Sequence, residues 1–239
     1  MHVTRKAGPL LGLATLLALA LAAAPARAQT AVLGGTGTNN IFPCGTDSYS
    51  GEYQQVYSGA ALAADLGVGP QTITSVACDP NLDPSPGTET FTYSIYYTAA
   101  TPAAPGTSYA ANRGTLLFTS SFTGAPPNPV PNTTFEFSLP TGFVYDPALG
   151  NLLLDVNVTA PPTGADVLGF TFGASPDTGR VFNLFGDGAP TADPDFGLLT
   201  RFTAGPAAVP EPSQTASLGL GALGVLGLMV RARRRRTAA

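Results

Sequence analysis

Neither histidine nor lysine occurs between Gln29 and Ala208, so hydrolytic chemistry there would fall to carboxylates. Nucleophile arrangements of the Ser-His-Asp, Cys-His or Ser-Lys kind are excluded there, as is a histidine-ligated metal. The single histidine, His2, stands far upstream. Eleven aspartates and three glutamates remain in that stretch. A glycosidase needs two carboxyl groups flanking the scissile bond, and Glu136 and Asp155 are the pair to consider, since both fall in alternating segments that would hold them rigidly. The same alternation also puts each on a solvated sheet face, where a carboxylate needs no further role. No catalytic residue is assigned on this basis and no enzyme activity is expected.

Three other groupings have chemical content. Phe185-Gly186-Asp187-Gly188 followed by Asp193-Pro194-Asp195 has the oxygen ligands and glycine turns that Ca²⁺ requires, but not the EF-hand spacing or its closing glutamate. Solvated turns are the competing account, and no metal or cofactor is expected. Tyr49, Tyr53, Tyr57, Tyr96 and Tyr109 could stack on sugar rings with their hydroxyls left to hydrogen bond, or could pack on the rim of a core. Cys44 and Cys78 are the only cysteines. In an oxidising compartment such a pair is expected to form a disulfide, closing a loop of about 34 residues and adding about 3–4 kcal/mol in the chain-entropy model.

The elements that must position these residues are strands. Phe91, Tyr93, Ile95 and Tyr97 alternate with Thr90, Thr92, Ser94 and Tyr96, and Phe135, Phe137 and Leu139 alternate with Thr134, Glu136 and Ser138. Leu152, Leu154, Val156 and Val158 alternate in the same way around Asp155 and Asn157. Period two marks strands with one buried face. Further strands are expected over 53–58, 71–78, 115–123, 166–172, 180–185 and 198–203, with turns at Asp79-Pro80, Pro86-Gly87, Asp146-Pro147 and Asp177-Thr178-Gly179. One helix is expected over 60–66, ended by Gly67. The predicted fold is all-β: an antiparallel two-sheet β-sandwich, jelly-roll-like.

Both ends of the chain carry targeting patterns. Arg5 and Lys6 precede an apolar run over 10–24, and Ala26-Arg27-Ala28 supplies small residues for cleavage before Gln29. Residues 1–28 are thus expected to be a secretory signal peptide cut by signal peptidase, and 29–203 an exported domain followed by a linker over 204–213. Within that linker stands Val209-Pro210-Glu211-Pro212-Ser213. Residues 214–230 are free of charge, rich in glycine, alanine and leucine, and near the minimum length for a helix crossing ~30 Å of hydrocarbon. Arg231, Arg233, Arg234, Arg235 and Arg236 follow, in a segment over 231–239 that the positive-inside rule places in the cytoplasm. The span from Gln29 to Ala208 has fourteen acids against three arginines, a net charge of about −11. That charge argues against nucleic acid or anionic lipid as partner and is compatible with neutral glycans, cations or a polyanionic matrix bridged by cations.

The Pro-Glu-Pro motif, the short span and the arginine cluster together resemble the three-part PEP-CTERM signal of exported proteins in Gram-negative bacteria. The resemblance implies an inner-membrane precursor with a periplasmic domain, cleaved near the motif by an exosortase and released to the cell surface, usually where extracellular polysaccharide is made. More weakly, Phe143-Val144-Tyr145-Asp146-Pro147 with the strand after Gly150 resembles an element of the β-sandwich ectodomains of such proteins. The expected role is that of a non-enzymatic envelope or matrix protein associated with exopolysaccharide. A carbohydrate-binding module or a carboxylate-dependent glycosidase is the alternative, and a permanent tail anchor is the other reading of the C-terminal segment.

Overall fold

The computed structural model describes residues 28–37, 39–40, 50–79, 89–124, 135–160, 170–184 and 189–205. In chain order these hold β1 (Gln29–Leu33), β2 (Asn39–Asn40), β3 (Gly51–Tyr57), α1 (Gly59–Leu66), β4 (Gln71–Cys78), β5 (Glu89–Thr98), α2 (Tyr109–Asn112) and β6 (Leu116–Gly124). There follow β7 (Phe135–Phe137), β8 (Phe143–Tyr145), a 3₁₀ turn (Pro147–Leu149), β9 (Asn151–Ala160), β10 (Phe170–Ala174), β11 (Thr178–Leu184), β12 (Thr191–Asp193), β13 (Phe196–Leu198) and β14 (Thr200–Ala204).

All the strand pairs among the described residues are antiparallel, as expected. A six-stranded sheet runs β12-β11-β3-β9-β5-β6, and a second runs β1-β14-β4-β7 with β8 also on β4. A small third sheet, β13-β10-β2, was not expected from the sequence. The two larger sheets pack through aromatic rings: Tyr57 on Phe202 (4.8 Å between centroids), Tyr93 on Phe137 (5.1 Å) and Tyr97 on Tyr145 (5.5 Å). The alternation in β5 is realised, with Phe91, Tyr93 and Ile95 buried in the interior. Core tyrosines keep their hydroxyls satisfied, which is the condition for burying them: Tyr57 pairs with Thr200 Oγ1 (2.8 Å), Tyr145 donates to Gly150 O (2.8 Å) and Tyr93 donates to Ser138 O.

The single expected helix is found one residue longer, because Ser58 caps it by accepting from Ala61 N (3.3 Å) and Gly59 N donates to Asn151 Oδ1 (2.8 Å). Leu62 and Leu66, one turn apart, are its buried face, and Gly67 ends it as expected. No helix among the described residues is long and apolar enough to cross a membrane. The expected signal peptide up to residue 27 and the expected membrane helix over 214–230 lie outside the described residues.

Candidate functional site

The outer face of the six-stranded sheet carries a buried polar cluster. Register alignment places Gln54 of β3, Asp155 of β9 and Ser94 of β5 side by side. Asp155 is 3% exposed, and its Oδ2 accepts from Arg113 Nε (2.5 Å) and Gln54 Nε2 (3.1 Å), while Oδ1 is buried without a hydrogen-bond partner. Arg113 also donates from Nη2 to Glu52 (2.6 Å). Burial, with the Asp155 carboxyl beside it, raises the Glu52 pKa from 4.5 to about 7 against the opposing pull of Arg113. The segment bearing α2 closes over this cluster: Tyr109 donates to Glu52 O (2.9 Å), and Asn112 donates to Gln54 Oε1 (3.0 Å) and Gly106 O (2.7 Å). The result is a pair of acids bridged by one guanidinium and roofed by a short helix.

A second feature lies where β11 and β12 meet the small sheet. Arg180 is largely buried, with its guanidinium carbon 5.1, 4.7 and 4.9 Å from the ring centres of Phe172, Phe182 and Phe196. Its Nε and Nη2 both donate to Asp193 Oδ2 (2.9 and 2.7 Å). Phe172, Arg180, Asp193, Pro194 and Phe196 line an open recess of about 370 Å³ there. Gly197, next to Phe196, has no room for a side chain, since a Cβ would lie 2.8 Å from Gln55 Cδ and from Thr178 Oγ1.

The two acids considered from the sequence do not meet. Phe135 and Phe137 face the core, so the exposed Glu136 between them points out from the five-stranded sheet, while Asp155 points out from the other side of the molecule. The partner of Asp155 is Glu52, which is separated by a long stretch of sequence and is brought to it by the β3–β9 register. No alternation pattern reveals that pairing.

Of the Ca²⁺-like grouping, Asp187 lies outside the described residues, Asp193 is held by Arg180, and Asp195 forms a turn with φ 52°. Among the described residues no group of three or more His, Cys, Asp or Glu converges on a metal position. Tyr53 and Tyr57 are fully buried, Tyr96 is half-buried, Tyr109 is committed to Glu52 O, and Tyr49 lies outside the described residues.

The expected Cys44–Cys78 disulfide is not seen. Cys78 is a free thiol, buried on β4 with Sγ 3.8 Å from Thr200 Oγ1, while Cys44 lies outside the described residues. Burial pushes the Cys78 pKa up to about 12, which keeps the thiol protonated and unreactive.

Ala28 and Gln29 are exposed, Gln29 opening β1, whereas Ala26 and the sorting residues Val209, Pro210, Glu211, Pro212 and Ser213 lie outside the described residues, as does the cluster Arg231, Arg233, Arg234, Arg235 and Arg236. No curated protein and no solved structure matches the chain. The family model of the PEP-CTERM protein-sorting motif matches residues 208–236, the stretch holding Pro-Glu-Pro, the uncharged span and the arginines. By that motif the chain is a PEP-CTERM sorting domain-containing protein, made as a membrane-anchored precursor and targeted by exosortase to the cell exterior.

Proposed function

We propose that the exported β-domain becomes part of the cell envelope or of an extracellular polysaccharide matrix, and that it acts there by association and not by catalysis. The sorting motif at residues 208–236 carries this reading, because it delivers the domain to that location. In the precursor the arginine cluster stays cytoplasmic by the positive-inside rule, and signal peptidase cuts after Ala28, leaving the domain periplasmic until exosortase acts. The strand orders β1-β14-β4-β7/β8 and β3-β9-β5-β6 support a jelly-roll path extended by β11 and β12.

The non-enzymatic assignment is supported by the state of the acids. Glu136 and Asp155 are on opposite outer faces, and Glu52 and Asp155 both bind the Arg113 guanidinium beneath α2, which holds them as an ion-paired structural pair.

The test is fractionation of the native host with and without its exosortase, with intact-mass analysis of each fraction. Shortened protein in the surface or matrix fraction, replaced by uncut protein in the inner membrane when exosortase is deleted, is the expected result. Full-length protein in the membrane of both strains would leave the tail-anchor reading. Release of reducing sugar from the host polysaccharide by the purified protein would make it an enzyme.

A further inference from the structure

The Arg180 recess has a composition that its structural role does not require. The guanidinium is already neutralised by Asp193 and enclosed by Phe172, Phe182 and Phe196, yet Phe172, Phe196 and the exposed Pro194 also line an opening to solvent, with the Asp193 side chain 34% exposed beside them. The rim is braced from three directions. Asp195 N donates to Pro102 O (3.1 Å), Ser175 N donates to Asp195 O (2.8 Å), and Gly197 seats β13 directly against Gln55 and Thr178. A recess fixed in this way needs little reorganisation to bind.

Charge and size narrow what could enter. The ion pair leaves the recess without net charge, and the strongly acidic domain repels polyanions. Apolar ring and proline surfaces suit the C–H face of a sugar, while Asp193 and Arg180 suit its hydroxyls as acceptor and donor. The volume is at the small end of the ~300–1,000 Å³ range of ligand pockets, fitting a short unit and not a wrapped chain. We propose that the recess lined by Phe172, Arg180, Asp193, Pro194 and Phe196 is a binding subsite for a neutral sugar unit of a matrix glycan. The proposal rests on the matrix-association reading above and gives it a location on the domain.

Titrating the full-length chain with neutral gluco-, manno- and galacto-oligosaccharides, and with a uronate oligosaccharide as control, tests the assignment. The variants are Asp193→Asn, which keeps the shape of the ion pair, and Pro194→Ser, which changes only the exposed rim. Wild-type protein is expected to bind at least one neutral oligosaccharide and to prefer it to the uronate. Both variants are expected to weaken that binding about tenfold or more, with the melting temperature of Pro194→Ser unchanged.

Unchanged affinity in both variants overturns the subsite while leaving matrix association standing. So does a preference for the uronate, or no neutral binding by wild-type protein that is still recovered in the matrix fraction of its host. Absence of the processed protein from that fraction sinks the matrix reading itself.

Discussion

The fold moves the Glu52 carboxyl into the range of ordinary working pH, and its proton links stability to pH. Its pKa is raised from 4.5 to about 7 by burial and by Asp155, so below about pH 4.5 it is protonated in both folded and unfolded chains. Between those values the unfolded chain loses its proton while the folded one keeps it. Stability therefore falls as pH rises through that window and levels off above it, by up to about 3 kcal/mol after allowing for partial solvent screening. Glu52→Gln mimics the protonated form and should melt like the wild type at pH 4 but higher at pH 8. Coincident melting curves for the two proteins across that range would show that Glu52 is not the group responsible. Arg113→Met should act in the opposite sense, costing about 2–4 kcal/mol at pH 8 because it leaves two facing acids without their shared cation, and costing less at pH 4.

At the scale of elements, a side chain does the work of a strand. Gln55, fully buried on β3, accepts from Leu198 N (2.8 Å) and donates to Leu198 O (2.9 Å), tying β13 to the six-stranded sheet through an amide that reproduces backbone pairing. Gln55→Leu keeps the volume but removes the acceptor of Leu198 N and leaves Leu198 O with the longer bond from Thr200 Oγ1 (3.2 Å), and a loss of about 1–3 kcal/mol is expected in urea unfolding. A change under about 0.5 kcal/mol would mean that water or a shifted neighbour replaces the amide.

Gln55 also marks the limit of what alternation discloses. The apolar stripes of β5 and β9 announced their buried faces, because Phe91, Tyr93 and Ile95 and Leu152, Leu154, Val156 and Val158 are apolar throughout. Gln54 and Gln55, both buried, carry no such signal, since their polar groups are met by Asn112, Asp155 and Leu198, partners far along the chain. The helix α2 was missed for a related reason. It is four residues long with only its Ser108 cap as a signal, and it is fixed by Tyr109 and Asn112 reaching the sheet. Pairing register is invisible in one sequence, so both the small third sheet and the Glu52–Asp155 pair appeared only with the fold.

For the whole molecule, the topology brings the two ends of the β-domain together. Gln29, the first residue of β1, pairs with Ala204, the last of β14, so the chain enters and leaves the same strand pair at one end of the five-stranded sheet. The proposed signal-peptidase cut after Ala28 would fall immediately outside β1, and the Pro-Glu-Pro motif begins only a few residues beyond β14. Both cuts can then be made on the folded domain without breaking a backbone pair. A cut even a few residues further downstream at the N-terminal side would remove Ala31 and Leu33, both buried, and expose β14 as a sheet edge. The mature protein isolated from its host should therefore begin at Gln29 and lack Arg231 to Arg236, as read by N-terminal sequencing and intact mass. An N-terminus beyond Leu33 in a protein that still melts cooperatively would contradict the role assigned to β1. A C-terminus retaining the arginines would contradict release by exosortase.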